Sequence, residues 1–468
     1  MGFNRRWFFF ALFLVAAAAR LCHVGILWAE EALPLASAQQ MVRGKMLYRA
    51  VWFDKPPLFP ALYLMWGARD GWPLRLAGAL YVLLVCWLAY RFARELWSSR
   101  EGYWAAGLLG FFLTFDIPSA VIPLASDLLL VAPHLAAVWF AWRRRPFWSG
   151  IFAGIGFLIS PKAVFVAAVC ALWNPAGMVP LAAGFVLVNG VAAAGLAATG
   201  ALAAYWDEVW RWGRLYAALP LGENPLRNGI VRSLDWAGFH ISLIAAAGWF
   251  FARSLRDHKQ ISPVQWTVWG AFSAAGVLAG WRFFPRYYFL LLPLLVIAAA
   301  RGFVLLRRRW MWVALLLLVP LVRFGPRYVW LASGRTDWAD TAMDRDSRAA
   351  AALVRPLAQP GDTLFVWGFR PELYVYTGLP AAVGFLDSQP LTGVPADRHL
   401  TESTPVDAAG ARAHREELAR SSPTFVIDGL GLYNPRLALG GYADLRNWLA
   451  RYREVARSGE SIVYRRFP

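Results

Sequence analysis

The side chains best suited to chemistry lie in a charged interruption of an otherwise apolar amino-terminal region. Glu30 and Glu31 directly follow an apolar stretch, and Lys55 comes 25 residues after the first of them, held by two prolines. Carboxylates at the end of a helix would meet its negative pole, so a capping role does not explain the pair. A carboxylate can accept a proton from a nucleophile, and a fixed ammonium can bind phosphate. The pattern predicts a site for an anionic phosphate substrate and a nucleophile that must lose a proton.

Further charged residues are spaced through the later apolar segments. Asp127 lies near the start of one segment, Lys162 follows a Ser-Pro break, and Arg286 precedes Tyr287 and Tyr288 at the start of another. Ionisable groups at the edge of the hydrocarbon region cost free energy. This cost favours a shared function for these residues over charges that have no role. We expect Arg286 to bind a phosphate bidentately and the two tyrosines to line a prenyl or sugar pocket. An interfacial anchor is the alternative for this Arg-Tyr-Tyr run.

Other aromatic and histidine side chains carry weaker signals. Trp206, Trp210 and Trp212 are more typical of an interfacial belt than of a site. His134 and His240 lie in apolar segments, where a buried, hydrogen-bonded histidine is the simpler interpretation. The three cysteines have no metal-ligand spacing, so the sequence predicts neither a disulfide framework nor a zinc site.

The composition indicates a multi-pass membrane protein. Of the 468 residues, 59% are hydrophobic and 16% are charged, which is too apolar for a soluble globular protein. The net charge of +18 does not point to nucleic acid, because its arginines cluster between apolar runs, as at Arg143 to Arg145 and Arg307 to Arg309. We therefore expect a membrane partner, no nucleic acid, and these two clusters on the cytoplasmic side.

The topology depends on the apolar run from Trp148 to Trp173. Two half-length spans hinged at Pro161 return the later basic clusters to the cytoplasm, whereas one long span does not. This predicts about eleven spans, with the amino terminus cytoplasmic, Lys162 at an outer tip and the carboxyl-terminal region outside. Residues 7–28 are expected to form the first span, and a cleaved secretory signal is the alternative.

The composition changes after residue 323. Residues 1–323 are predicted to form a transmembrane domain whose first outer loop, 29–71, carries the catalytic groups. Residues 324–468 are predicted to form a small extracytoplasmic α/β domain. Strands are expected over 362–368 and 423–428, helices over 408–420 and 442–452, and an exposed loop over 385–410.

Several of these motifs together resemble a known family. They are the acidic pair, the step from Gly44 to Tyr48, the Lys-Pro-Pro block at Lys55, Asp127, residues 154–162 and the Pro-Arg-Tyr-Tyr run at 285–288. The combination resembles the C-type (GT-C) membrane glycosyltransferases, which use polyprenyl-phosphate sugars. It is similar to the bacterial relatives of protein O-mannosyltransferases and to lipid A aminoarabinose transferases (glycosyltransferase family 39/83-like). The resemblance implies a mainly α, polytopic GT-C-like fold.

The resemblance also implies roles for individual residues. Glu30 corresponds to the general base, with Glu31 and Asp127 as further catalytic groups. Lys55, Lys162 and Arg286 correspond to the partners of the donor phosphate. The substrate-pocket tyrosines are Tyr48, Tyr287 and Tyr288. The family usually has Asp where this chain has Glu30, whose extra methylene moves the carboxylate by more than about 1 Å.

The sequence therefore predicts a transferase that moves one sugar, with inversion, from a polyprenyl-phosphate carrier to a lipid, glycan or protein acceptor. No cofactor is required, although Glu30 together with Glu31 or Asp127 can hold a divalent cation. One alternative is a transporter or flippase for a lipid-linked anion, whose charges would line a translocation path. Another is a non-catalytic assembly partner whose outer domain binds envelope components.

Overall fold

The computed structural model describes residues 4–220, 222, 224–254, 260–335 and 337–467. Most of the chain up to residue 332 is helical. Its α-helices are Arg5–Leu21, Ala29–Val42, Leu58–Leu62, Trp72–Leu96, Ser99–Phe112, Pro118–Val121, Ser126–Leu129, Val131–Trp142, Pro146–Phe157, Ala163–Trp173, Met178–Ala198, Leu202–Tyr205, Trp212–Ala217, Pro225–Phe239, Ile241–Ser254, Pro263–Leu278, Leu292–Leu305, Trp310–Leu315 and Leu318–Ala332. A 3-10 turn, Pro285–Leu290, and a π-helical segment, Trp206–Arg211, also border the site.

Close helix packing holds this helical part together. The helix Pro146–Phe157 packs along Met178–Ala198, and two glycines permit the approach. A Cβ atom at Gly150 would overlap the carbonyl of Leu181, and one at Gly184 would overlap the carbonyl of Phe147. Small residues allow helix backbones to approach in this way in membrane proteins, where apolar surface alone gives little preference for another helix over lipid.

The number of helices that could cross a membrane is smaller than the sequence predicts. Among the described residues, Trp72–Leu96 and Pro175–Ala198 are long and apolar enough, and two bent pairs raise the number to four if each pair is one span. The bent pairs are Pro225–Phe239 with Ile241–Arg253, at 87°, and Arg307–Leu315 with Leu318–Ala332, at 43°. The predicted eleven spans are not confirmed, because several apolar runs form helices shorter than the roughly 20 residues that a crossing requires.

The start of the chain differs from the predicted first span over residues 7–28. Its first helix ends at Leu21, and Trp28 is extended before the next helix, Ala29–Val42. Glu30 and Glu31 therefore lie in the first turn of a new helix and not after the end of the first one. Carboxylates are favourable there because the amino-terminal end of a helix is its positive pole.

The predicted division of the apolar run 148–173 is confirmed. Two helices, Pro146–Phe157 and Ala163–Trp173, are separated by the residues around Pro161. Lys162 is the residue immediately before the second helix. This break brings the ammonium of Lys162 to the end of a helical hairpin.

The carboxyl-terminal part contains a four-stranded sheet in the order β1-β2-β4-β3. The strands are β1 (Leu364–Trp367), β2 (Phe425–Asp428), β3 (Tyr452–Arg457) and β4 (Ile462–Arg466), and the α-helices are Ala342–Val354, Glu372–Thr377, Gln389–Thr392, Ala408–Arg420 and Arg446–Leu449. The first two strands are parallel and the other pairings are antiparallel. The two predicted strands and the helix over 408–420 are confirmed. The predicted helix over 442–452 is wrong in most of its length, since only Arg446–Leu449 is α-helical there, and the β3–β4 hairpin was not predicted.

The predicted exposed loop over 385–410 is also wrong. Four of its apolar side chains, Phe385, Leu386, Leu391 and Val394, are almost completely buried. The abundance of Pro, Asp and Gly suggested an exposed loop, but these apolar residues fill the space beneath the sheet. The segment therefore packs as part of the core and lies over the helical part.

Contacts across the chain attach residues 27–43 to the carboxyl-terminal part. The helix Ala29–Val42 packs against Glu372–Thr377. Asp344 accepts a hydrogen bond from the backbone of Leu27 at 2.9 Å, and Arg43 donates one to the carbonyl of Gly378 at 2.8 Å. The predicted domain boundary at residue 324 falls inside the helix Leu318–Ala332.

Candidate active site

A cavity of about 530 Å³ lies where the helical and carboxyl-terminal parts meet. Its charged and polar lining comes from chain segments far apart in sequence: Glu30, Asp54, Lys55, Ser126, Asp127, Ser160, Lys162, Tyr216, Arg282, Arg286, Tyr287, Gln389 and Asp397. Most of the residues predicted from the sequence to form the site are thus brought together. Short elements and turns carry these groups, and the longer helices hold them in place.

Four of these side chains form what we call the cavity charge cluster: Glu30, Asp127, Lys162 and Arg286. Arg286 lies between the two carboxylates, with Nη1 at 2.7 Å from Glu30 Oε1 and Nε at 3.4 Å from Asp127 Oδ2. Lys162 Nζ contacts the other oxygen of Asp127 at 2.7 Å. Two cations therefore neutralise two carboxylates within one connected cluster.

The surroundings of Lys162 act strongly on its ammonium. Its ammonium lies 2.8 Å from the centre of the Tyr287 ring, which adds a cation–π contact to the Asp127 ion pair. Burial lowers the pKa of Lys162 to about 8, although the neighbouring Asp127 carboxylate opposes this shift. The amine therefore loses its charge within a pH range in which an ordinary lysine keeps it.

Lys55 and Tyr48 lie on the loop that forms one wall of the cavity. Lys55 pairs with Asp54 at 3.2 Å and is more exposed than the cavity charge cluster. Tyr48 does not line the cavity. Its hydroxyl donates to the Lys55 carbonyl at 2.6 Å, so Tyr48 holds the backbone beside the cation.

The neighbouring Phe53 donates its backbone N–H to Glu208 at 2.8 Å, and burial raises the pKa of Glu208 to about 9.

Two other predicted site residues lie away from the cavity. Glu31 is fully buried and accepts two hydrogen bonds from Arg75, at 2.9 and 2.6 Å. Arg75 also donates to the carbonyl of His23, so this pair fixes the turn before the helix Ala29–Val42. Tyr288 hydrogen-bonds Ser233 at 2.8 Å and points away from its neighbour Tyr287, which lines the cavity.

The sequence did not reveal the contribution of the carboxyl-terminal part to this cavity. Gln389 and Asp397 line it from the carboxyl-terminal part, and Tyr216 and Arg282 line it from the helical part. Arg282 lies at the end of an apolar run, where a cation is itself a signal of function. Asp397 lay in the segment predicted to be exposed, and its own residue type gave no indication.

The acidic groups that could hold a cation are arranged around arginines. Among the described ranges, no group of three or more His, Cys, Asp and Glu side chains is placed to hold a metal ion. Glu30 and Asp127 both contact Arg286, and Glu31 contacts Arg75. Chemically, the cavity offers a partly exposed carboxylate next to several cations. This arrangement can accept a proton from a hydroxyl while holding a phosphate.

Comparison with known proteins identifies the fold. No family model and no curated protein matches the sequence. Among solved structures, the chain is similar to ArnT from Cupriavidus metallidurans in the apo state, with a TM-score of 0.59, 13% identity and 98% of each chain covered. It is also similar to the Archaeoglobus fulgidus oligosaccharyltransferase in the apo form, with a TM-score of 0.51, 11% identity, and 92% of this chain and 70% of that chain covered. The chain has the GT-C fold of these proteins, as its sequence motifs predicted.

Proposed function

We propose that this protein is an inverting glycosyltransferase that moves a sugar from a polyprenyl-phosphate carrier to a hydroxyl of a lipid, glycan or protein acceptor. The observation that carries this proposal is the meeting of Glu30 with Lys162 and Arg286 in one cavity. A carboxylate can serve as the base, and the cations can hold the phosphate that leaves. Lys55, on the wall of the same cavity, is a third cation for that phosphate.

In the proposed reaction, the acceptor hydroxyl gives its proton to Glu30 as its oxygen attacks carbon 1 of the sugar. The bond between carbon 1 and the phosphate oxygen breaks, and polyprenyl phosphate leaves with the electron pair. Lys162 and Arg286 stabilise the negative charge on that phosphate. Attack from the side opposite the phosphate inverts the configuration at carbon 1. The steps require no metal ion or organic cofactor.

An apolar groove next to the cavity supports a lipid-linked donor. The groove has a volume of about 1080 Å³ and is lined mainly by alanine, leucine and aromatic side chains, with Pro57 at one side. Pro57 belongs to the Lys-Pro-Pro block, so the groove lies beside the loop that carries Lys55. A prenyl chain could occupy this groove while its phosphate reaches the cavity.

The solved structures support sugar transfer as the class of reaction. ArnT is a lipid A aminoarabinose transferase, and the second structure is an oligosaccharyltransferase by name. We infer from the shared fold and the cavity charge cluster that this chain performs a related transfer.

We further propose that the cavity faces the outside of the cytoplasmic membrane, with the amino terminus and the two arginine clusters inside. The support is the positive-inside distribution of arginine in the sequence. A cysteine placed at position 162 should react with a membrane-impermeant thiol reagent added to intact cells. Cysteines at positions 144 and 308 should react only after lysis. Protection at 162 together with labelling at 308 would contradict this orientation.

Mass spectrometry of lipids that copurify with the protein tests the proposed donor. We expect a polyprenyl-phosphate sugar in the wild type and in Glu30→Gln, together with turnover in the wild type alone. A transporter would instead move its substrate in both variants if Glu30 merely lined its path. A purified wild-type protein that binds no polyprenyl phosphate would rule the transferase out.

A further inference from the structure

We propose that Arg282 and Asp397 form a subsite that recognises the hydroxyl groups of the transferred sugar. This inference rests on the proposed function, because it assigns a role within the same cavity. It concerns two residues that the reaction described above does not use. It also gives the carboxyl-terminal part a direct role in selecting the substrate.

The two side chains form an ion pair across the boundary between the two parts of the molecule. Arg282 Nη1 binds Asp397 Oδ2, and Arg282 Nη2 donates to the Tyr216 carbonyl at 2.6 Å. The guanidinium also lies 3.6 Å from the centre of the Tyr216 ring. Arg282 is fully buried, and Asp397 is 15% exposed. The pair is thus fixed firmly by its surroundings.

Each member of this pair retains one unused hydrogen-bonding atom. Arg282 Nε and Asp397 Oδ1 are buried and find no hydrogen-bond partner among the described residues. Both residues line the cavity. Buried polar atoms are nearly always paired, and a ligand in the neighbouring cavity would supply the partner that this donor and this acceptor lack.

The chemistry of that ligand follows from the two atoms. Arg282 Nε–H can only donate a hydrogen bond, and Asp397 Oδ1 can only accept one when ionised. A hydroxyl group does both, and neighbouring hydroxyls on a sugar ring present several such groups at fixed spacing. A prenyl chain has no group that would satisfy either atom. The pair therefore fits a sugar ring.

The position of the Arg282–Asp397 pair relative to the phosphate-binding cations favours binding of the donor sugar over binding of the acceptor. Tyr216 lies beside Tyr287, and Tyr287 contacts Lys162. The hydroxyl subsite is thus separated from the cavity charge cluster by two adjacent aromatic side chains. A sugar joined directly to the phosphate would extend into this region, whereas an inverting acceptor approaches from the opposite side.

The test uses the full chain in lipid nanodiscs with four probes: undecaprenyl phosphate and its mannosyl, glucosyl and galactosyl phosphodiesters. Mannose and galactose each differ from glucose in the configuration of one hydroxyl, at carbon 2 and carbon 4 respectively. We expect the wild type to prefer one of them at least tenfold, and Asp397→Asn to reduce that preference at least tenfold. Affinity for undecaprenyl phosphate without a sugar should stay within about threefold of wild type.

Asp444→Asn provides a matched control. Asp444 pairs with Arg415 at 2.8 Å in the carboxyl-terminal part and does not line the cavity. This variant should keep the wild-type preference among the three sugars. Asp397→Glu is the second variant, since it keeps the charge and the ion pair but moves the carboxylate. It should also lose the preference if the carboxylate contacts sugar, and keep it if the pair serves only to join the two parts.

The outcomes separate the sources of the sugar and the two proposals. Wild-type ratios in Asp397→Asn and Asp397→Glu would overturn the subsite and leave the transferase proposal intact. Methyl glycosides of the same sugars, added to protein loaded with undecaprenyl phosphate, test an acceptor ring. A loss confined to these glycosides would overturn the assignment to the donor. Failure of the wild type to bind undecaprenyl phosphate would overturn both proposals.

Discussion

Two adjacent glutamates in this protein each pair with an arginine, yet their surroundings differ completely. The Glu30 and Arg286 side chains are 30% and 21% exposed at the cavity, whereas the Glu31 and Arg75 side chains are 0% and 1% exposed. Successive residues of a helix point about 100° apart. The step from Glu30 to Glu31 therefore directs the two carboxylates into different environments. Residue type alone therefore does not distinguish a group that can meet substrate from one that holds the helix.

The difference in exposure implies a difference in role. A substrate phosphate can reach Arg286 and displace Glu30, because both groups border the cavity. No substrate can reach the Glu31–Arg75 pair without unfolding the turn around His23. Under the proposed function, Glu30 therefore transfers the proton, and Glu31 positions the helix Ala29–Val42. The following experiments test this contrast.

The largest effect is expected from Glu30→Gln. Glutamine keeps the shape of the side chain but cannot accept the proton, so turnover should fall by about 10²–10⁴-fold. Donor affinity should be kept or increased, because Arg286 loses a competing anion. Turnover is measured with saturating donor, and affinity by donor binding. Normal turnover would move the base to Asp127, a possibility that Asp127→Asn would then check.

Glu30→Asp sharpens the same test. Aspartate retains the base but draws the carboxylate back from Arg286, which Glu30 contacts at 2.7 Å. Retained or raised activity would fit a base at a tolerant site. A collapse of activity would indicate a cavity adapted to the longer side chain.

The next largest effect is expected on stability when the buried pair is broken. Arg75→Met should destabilise the protein by about 3–5 kcal/mol, because it leaves the Glu31 carboxylate buried without its partner. Thermal unfolding in detergent measures this loss. Arg91→Met is a suitable control, since Arg91 pairs with Glu95 in a partly exposed position. An equal loss in both variants would contradict the distinction between buried and accessible pairs.

A smaller effect is expected on donor affinity when the cavity cation is removed. Arg286→Ala should weaken donor binding by about 1.5–3 kcal/mol, the range for hydrogen bonds to charged groups. Lys55→Ala should have a smaller effect, because Lys55 is more exposed and already pairs with Asp54. Isothermal calorimetry or tryptophan fluorescence can follow binding. Unchanged affinity in both variants would exclude them from the phosphate site.

The smallest effect is a change of activity with pH. Burial lowers the pKa of Lys162 to about 8, and in the proposed reaction Lys162 binds phosphate only as the charged ammonium. The charged form predominates below pH 8 and is lost as pH rises, so kcat/KM should fall by up to about tenfold per pH unit above that value. In Lys162→Arg the charge persists, and this decline should disappear. A decline of equal size in the arginine variant would assign it to another group.

The sequence predicted the cavity cations better than the arrangement of the elements that carry them. Placing a charged side chain in an apolar segment costs free energy, and a sequence rarely does so without a functional reason. Lys162 and Arg286 could be found by this criterion alone. The break at Pro161 was equally visible. By contrast, the orientation of Glu31 depends on a contact with Arg75, which is 44 residues away in sequence. Pairings over such distances leave no local pattern.

The roof of the cavity shows why the rest could not be predicted. Residues 385–410 have the composition of a loop. Composition does not show which other elements pack against a segment. Their burial depends on the fit between the sheet and the helical part, which emerges only when both have folded. The β3–β4 hairpin was missed for a related reason, because its strands are rich in arginine and only partly buried.

The paired charges of the cavity also affect how strongly donor affinity depends on salt. Within the cavity charge cluster each carboxylate already serves as the counter-ion of a cation. An arriving phosphate would replace Glu30 as the counter-ion of Arg286, so the number of ion pairs there would stay the same. Added salt weakens both the pair that is lost and the pair that is gained. Donor affinity should therefore depend only weakly on ionic strength, despite the strongly basic character of the chain as a whole.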